Sequence, residues 1–532
     1  MSFIFKLAKP IALAATLVIG SLAPAVAQTS DNKVFKVAMS GDLKSLDPVW
    51  TAAAISSVYA NQVYDMLFGF DEQNQIQNQM VGEYKLSPDG LTHEFSLRPN
   101  LFFSDGTPVT AADVVASIKR WAQRDAMGAL IMKKAKSLEA VDDKSVKLVL
   151  GEKFGLVREA LGKRIGPCYI MPARIAAAPA SQEIKESIGS GPFKMVKEEW
   201  VPGSKVVFVK NDKYVPRPEP ASALAGGKKV NFDRMEWVTI PDVNTKLTAL
   251  TVGEVDFFDA PPLDLLPIFD ADPNLELVSN DPLGIQPLLR PNHLFPPFND
   301  KRARQALLYL IHQEDVLKAI VGDRPDLYTP YCGAYFMCGS ENETEVGAEA
   351  FKKVNVAKAK ELLAQAGYKG EPIVIMQPTD RPEHIAATLV VIQELRDAGI
   401  NLDVQAADWA TITARRAQKT APKDGGWNLF ITGSVAASTT DPLVSLWFVP
   451  SCDAAAPGWP CDEEIMKLTD QWSQESDAAK RKGIIEAIQK RAYDVVPYIP
   501  LGQYVRLHGI RSNVKGVLKA GTTVFWNISK EG

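Results

Sequence analysis

The stretch "IVIMQPTDRPEHIAATLVVIQELRDAGI", residues 373–400, carries an apolar β-branched run, a break and a long amphipathic run in a single line. Ile373–Met376 suits a buried strand, and Pro378, Thr379 and Asp380 interrupt it. A helix is expected over Glu383–Ala398, with Gly399 ending it. Arg381 falls in the strand-to-helix loop, where α/β proteins often place functional side chains. Upstream, Asn355 caps "VAKAKELLAQA", which stops at Gly367, and a strand is expected over Pro372–Met376. Downstream, a strand is expected at Ile400–Val404, Asp408 caps "WATITARRAQK", and Trp427–Thr432 reads as a further strand. Strand, helix, strand, helix, strand is the pattern of a parallel sheet, with sites outside the strand C-terminal ends. Met376–Arg381 and Thr432–Asp441 are loops at such ends.

The amino-terminal part reads differently. Pro88-Asp89-Gly90 forms a tight turn between strands near Gly82–Leu86 and Thr92–Leu97, and Asp105-Gly106 forms the next. Thr110 then caps a helix, with Asp113 at capping-box spacing and Val114, Val115, Ile118 and Trp121 on its apolar face. This predicts an α+β unit. Pro216–Gly227, "PRPEPASALAGG", is the one low-complexity stretch and is expected to be a surface excursion. No repeat of solenoid period is present.

Lys6 and Lys9, the apolar run Ile11–Leu22 and the small residues Ala25-Val26-Ala27 predict a cleaved signal peptide over residues 1–27, with the mature chain starting near Gln28. The run is too short for the roughly 20 residues that span a bilayer. The leader holds two lysines and no acid, so its loss takes the formal net charge from −4 to −6. A mildly acidic chain argues against nucleic acid as a partner. A mature length of about 500 residues exceeds a single core, so two or three subdomains are expected. Cys332 and Cys338 flank one short loop, Cys452 and Cys461 another, and both pairs are expected to be disulfides in an oxidising compartment, with Cys168 left over. No CxxC occurs, and the five histidines are scattered without ligand spacing, so neither a metal site nor a cofactor is expected.

Enzyme signatures are missing from the chain. "IGSGPF" lacks the outer glycine spacing of a nucleophile elbow, His93-Glu94 has no second histidine at zincin spacing, and "AGGKKV" has no hydroxyl after its lysines. A hydrolase or a folding factor is therefore the weaker class of reading.

Several motifs occur in order: "SLDPVW" (45–50), "QVYDMLFGFD" (62–71), "LSPDGLTHEFSLRPNLFFSDGTPVTAADV" (86–114), "GSGPFKM" (189–195), "TALTVGEVDFF" (248–258), "NDKRARQAL" (299–307) and "VVPYIPLGQY" (495–504). In these the chain resembles the family 5 extracellular solute-binding proteins of ABC importers, which include dipeptide-, oligopeptide- and nickel-binding members. The resemblance implies a two-lobed, hinge-closing α/β periplasmic binding protein with an additional α+β subdomain. It implies a first lobe from 28–50, 186–282 and 500–532, the additional subdomain over 51–185 and the second lobe over 283–499. It also implies a monomer that binds a small solute, peptide or peptide-like, and hands it to inner-membrane ABC permease subunits. The "SPDG" and "DGTP" motifs read as turns that fix the subdomain, and "GSGPF" as a close passage of chain.

In dipeptide-binding members an arginine of an R-P step after the strand meets the peptide carboxylate, and "TDRPEH" places Arg381 there. A guanidinium fork suits that partner, since a carboxylate closed off from water needs a counter-charge. Those members meet the ligand ammonium with an aspartate three residues before an acidic-Pro step, after a nearby tryptophan. Here the step is Asp441-Pro442, Ser438 stands at the aspartate position and Val435 at the tryptophan position. A serine cannot neutralise an ammonium. Either Glu383, Asp380 or Asp441 takes over, or the solute lacks a free amine, as an oligosaccharide or an opine-like compound does. Trp409 matches the pocket-wall tryptophan of the family, and Trp447 and Trp459 are further candidates.

Overall fold

The computed structural model describes residues 33–531 apart from Ala52 and Ser476, so the leader assigned to 1–27 lies outside the described residues. Among the described residues no helix is long and apolar enough to cross a membrane.

Two seven-stranded sheets carry the fold. In the first, Val34–Ala38 runs parallel to Arg234–Val238 and to Phe257–Phe258, and antiparallel strands complete both sides. Phe35, Val37, Phe208, Trp237, Phe257, Phe525 and Trp526 fill its core. The second sheet contains the opening stretch. Ile373–Pro378 pairs in parallel with Leu402–Ala407 on one side and with Leu429–Val435 on the other, as the alternation of strands and helices predicts. Antiparallel Ile285–Pro291 then borders Leu429–Val435. The helix Pro382–Asp397 buries Ala387, Val391 and Leu395 at four-residue spacing, and Gly399 ends it at φ 81°.

The strands of this region extend further toward the site than their apolar runs suggest. The first continues from Met376 to Pro378, the second spans Leu402–Ala407 and the third Leu429–Val435. The parallel ladder itself extends them, since Pro378 is still opposite Ala407. A proline at a strand's last residue is tolerated, its missing N–H being little needed there.

The third unit is a four-stranded antiparallel sheet that includes Val81–Leu86 and Thr92–Leu97. Its helix Ala111–Trp121 starts with the expected capping box, in which the Thr110 N–H donates to Asp113 Oδ2 at 2.8 Å. The expected subdomain 51–185 gives up both of its ends. Tyr59, Val63, Tyr64 and Met66, and later Tyr169, Met171 and Ile175, pack in the core of the first sheet. Pro216–Gly227 is a surface excursion only in its first half: Pro218, Glu219 and Pro220 are exposed, but Ala223 and Leu224 are fully buried, and the Leu224 N–H donates to Phe70 O at 3.0 Å.

Both expected disulfides are present, Cys332–Cys338 and Cys452–Cys461, and Cys168 is free and buried. The motif acids work inside the fold. Asp47 pairs with Arg120 at 2.7 Å and Asp65 with Lys228 at 2.7 Å, all four side chains being buried. In "GSGPF", a Cβ on Gly189 would lie 2.0 Å from Val63 O, so close chain passage is what this glycine provides.

The chain passes between the two large sheets twice, at 279–284 and at 505–507. Leu275–Val278 belongs to the first sheet and Ile285–Pro291 to the second, while Gln503–Tyr504 belongs to the second and His508–Arg511 to the first. Residues 500–504, expected in the first lobe, thus pair in the second sheet, because Pro500 continues the ladder to Leu288 and Tyr504 that to Ile285. The two crossings touch. Gly284 has φ 69°, and a Cβ there would stand 2.1 Å from Tyr504 O. Gly284→Ala is expected to lower the urea and thermal unfolding midpoints by more than the left-handed penalty of about 1–2 kcal/mol alone, since the Tyr504 carbonyl must also move.

Candidate functional site

The sites of an α/β sheet lie beyond its strand C-termini, and here that edge of the second sheet faces the crossings. Two cavities meet at this edge. The larger, about 520 Å³, lies between the sheets. Ser40, Ile55, Asp259 and Thr523 contribute to its first-sheet wall, and Val435 and Ser438 to the other. The smaller, about 170 Å³, is lined by Arg381, Glu383, His384, Thr432, Tyr504 and Arg506 among others. Ile285, Val435 and Arg506 stand in the walls of both.

Arg381 is the residue before the helix Pro382–Asp397, and its side chain is exposed to the smaller cavity. No side chain caps that helix, so its first-turn N–H groups and the positive end of its dipole face the same space. Glu383, one turn in, lines the cavity as well. His384 lies beside them, its ring 4.7 Å from that of Trp409, and its buried Nδ1 has no hydrogen-bond partner among the described residues. Burial, followed by the charges of Arg381, Arg416 and Arg506, brings the His384 pKa down to about 4 against the opposing pull of Glu383. The imidazole is therefore neutral at pH 7.

Trp409 does not line either cavity; it supports the residues that do. Its backbone N–H donates to Asp380 Oδ1 at 2.8 Å, which engages the acid of "PTD" as a structural acceptor. Its ring has the Arg381 Cζ at 6.0 Å and the Arg416 Cζ at 5.2 Å from its centroid, within cation–π range. Arg416 in turn lies 5.1 Å from the Trp447 ring and 5.4 Å from that of Phe430. Trp447 is buried, as is Trp459, whose ring is 6.0 Å from that of Trp427, so these two tryptophans belong to the core.

Ser438 lines the larger cavity, with its hydroxyl donating to Val435 O at 2.9 Å. Asp441 is not brought to this site. Its Oδ1 accepts from the Leu443 and Val444 N–H groups at 2.8 and 3.0 Å, and it faces a separate space of about 60 Å³ with Glu159 and Glu341. The acidic-Pro step is a turn that caps its own following residues. Across the larger cavity, Asp259 accepts from Ser40 and sits 3.1 Å from His508 Nδ1. Burial alone would raise its pKa, yet His508 and Ser40 hold it at about 2.

Arg506 and His384 were not anticipated from the sequence. Arg506 lies in the second crossing, and the alternation Tyr504, Arg506, His508 in "QYVRLHG" is the signal that marks it: all three line one or other of the two cavities.

Residues 75–456 match the sequence profile of the "Bacterial extracellular solute-binding proteins, family 5 Middle". The chain belongs to this family. It is 37% identical over 522 residues to a probable peptide ABC transporter periplasmic-binding protein, y4tO, of Sinorhizobium fredii, with 98% of each chain covered. Among solved structures, the binding protein AgaA of Agrobacterium tumefaciens, in complex with agropinic acid, superposes with a TM-score of 0.75 at 24% identity, covering 94% of this chain and 99% of that one. The DppA protein of Helicobacter pylori, in complex with the peptide STSA, superposes with a TM-score of 0.74 at 22% identity, covering 94% and 98%. The two-lobed architecture with an added small sheet is thus that of the family, and the work of the family is solute binding.

The His384 assignment has a pH signature. The unfolded value is about 6.5 and the folded value about 4, so between these pH values the unfolded chain holds a proton that the folded chain lacks. Stability contributed by neutral His384 is then lost as pH falls from about 6.5 toward 4. Urea unfolding across that range is expected to show a smaller loss of stability for His384→Asn than for the parent protein.

Proposed function

We propose that this protein is the periplasmic receptor of an ABC importer, capturing a peptide or peptide-like carboxylate between its lobes and delivering it to inner-membrane permease subunits. The mature monomer starts near Gln28 and performs no chemistry on its solute. One lobe is built on the first sheet (33–50, 186–282 and 508–531) and the other on the second (285–504), and the crossings between them are the hinge. A solute that contacts both walls of the 520 Å³ cavity binds the closed form better than the open one, and this difference drives closure.

The observation that carries this reading is Arg381. It stands at an uncapped helix N-terminus, in a cavity that shares its wall with the interlobe cleft. Among the described residues it has no ion pair. A carboxylate placed there meets a planar fork and the helix dipole together. The 37%-identical relative named for peptide transport favours the same class.

A second reading, an amine-free solute, is favoured by Ser438. Its hydroxyl is turned to Val435 O, Asp380 and Asp441 are engaged in capping, and Glu383 is the one acid in the Arg381 cavity. Thermal shifts with free and N-acetylated forms of one peptide separate the two readings, since a ligand of the native state raises stability.

Arg381→Ala is expected to weaken binding of a carboxylate ligand by roughly tenfold or more, the usual worth of a charge-assisted hydrogen bond, with little change in unfolding midpoint because the side chain is exposed. Titration calorimetry on the two proteins checks this, and equal affinities remove Arg381 from the site.

A further inference from the structure

We propose that the solute is a diacid, and that Arg506 receives its second carboxylate beside the first on Arg381. This rests on the preceding reading of Arg381 and extends it to the solute's charge.

Both guanidinium groups line the same 170 Å³ space, and neither has an ion pair among the described residues. Elsewhere in the second lobe, buried arginines are tied into the fold. Arg290 donates to the carbonyls of Trp447, Pro497 and Pro457, and Arg304 to those of Phe298 and Val495. Arg381 and Arg506 have no such anchors; the Arg506 guanidinium has the Tyr504 hydroxyl as its neighbour. Glu383 is the one acid in the cavity wall. Arg416, behind Trp409, adds a third positive charge without an ion pair.

The excess is therefore cationic before any solute arrives. With Arg416 counted, three guanidinium groups stand against the one carboxylate of Glu383, so a monocarboxylate leaves one positive charge unanswered when closure removes water, whereas a second carboxylate answers it. An ammonium in the same space would add to the repulsion. The nearest other acids, Asp259 and Asp281, line the larger cavity and not this one, Asp259 facing Ser40 and His508 and Asp281 accepting from the Leu283 N–H. By volume, 170 Å³ corresponds to roughly five or six waters, room for a carboxylate on a short stem while the body of the solute stays in the larger cavity.

Arg506 also occupies a special place in the chain. It lies in the 505–507 crossing, between Tyr504 of the second sheet and His508 of the first. A carboxylate held there contacts the segment whose backbone turns during closure, so the second charge acts on the open–closed equilibrium as well as on affinity.

The test uses the mature protein and matched pairs of N-acetyl dipeptides, ending in Glu or Asp against the same compounds with the side-chain carboxylate amidated. Titration calorimetry is expected to show the diacid binding roughly tenfold or more tighter than its amide partner. Arg506→Gln is expected to bring the diacid down to the affinity of the amide partner, and Arg506→Lys, which keeps the charge and loses the fork, to give an intermediate ratio. Equal binding of diacid and amide by the parent protein overturns the inference, as does a ratio unchanged in Arg506→Gln or a panel in which no diacid binds. An Arg381→Ala protein that binds both partners as the parent does defeats the anchor reading itself, so the two failures are told apart.

Discussion

Where the two crossings pass each other, the Tyr504 carbonyl occupies the space a side chain at position 284 would need. This contact fixes how two seven-stranded sheets, each with its own core, are joined. Ile285 pairs with Tyr504 on one side of it. On the other side the chain returns to the first sheet, at Val278 opposite His508. The crossing residues Asp281, Gly284 and Arg506 line the cavity between the sheets, so the segments proposed as the hinge are also walls of the proposed solute chamber. On that proposal a solute drives closure because the segments it touches are the ones that move.

The electrostatics of the second-sheet edge follow from the same arrangement. Parallel strands present their C-terminal ends together, and the helix after Ile373–Pro378 presents its N-terminus there. That end bears a partial positive charge, to which Arg381 and Arg506 add full ones. His384 is held neutral beside them, its pKa brought down to about 4 first by burial and then by the neighbouring arginines. Trp409 ties the arrangement together, with Arg381 and Arg416 both within cation–π range of its ring and the His384 ring 4.7 Å away at 61° to it.

Local sequence signals proved reliable for local structure. The alternation of strands and helices in 355–435, the capping box at Thr110, the caps at Asn355 and Asp408 and the two disulfides all appear where spacing placed them. Spacing failed where the answer depended on distant chain. Asp441, of the acidic-Pro step, was one of three acids expected to replace the aspartate missing at Ser438, but its carboxylate turns back to cap Leu443 and Val444. The second-sheet pairing runs five residues past the lobe boundary expected at 499, since only the pairing of Tyr504 with Ile285 reveals the sheet to which residues 500–504 belong. Arg506 stayed hidden for the same reason. Nothing near it in sequence speaks of Arg381, and the two meet only because the second crossing runs along the edge of the second sheet.

Central to the proposed function is a cleft that closes on an organic acid. Native mass spectrometry of the protein purified from the periplasm of the cells that make it tests this most directly, by giving the mass and, through fragmentation, the acidic groups of any solute carried along. The account predicts an organic acid at one copy per protein chain, absent from Arg381→Ala. A neutral sugar, a cationic peptide or a metal complex without carboxylates, retained equally by both proteins, would contradict it.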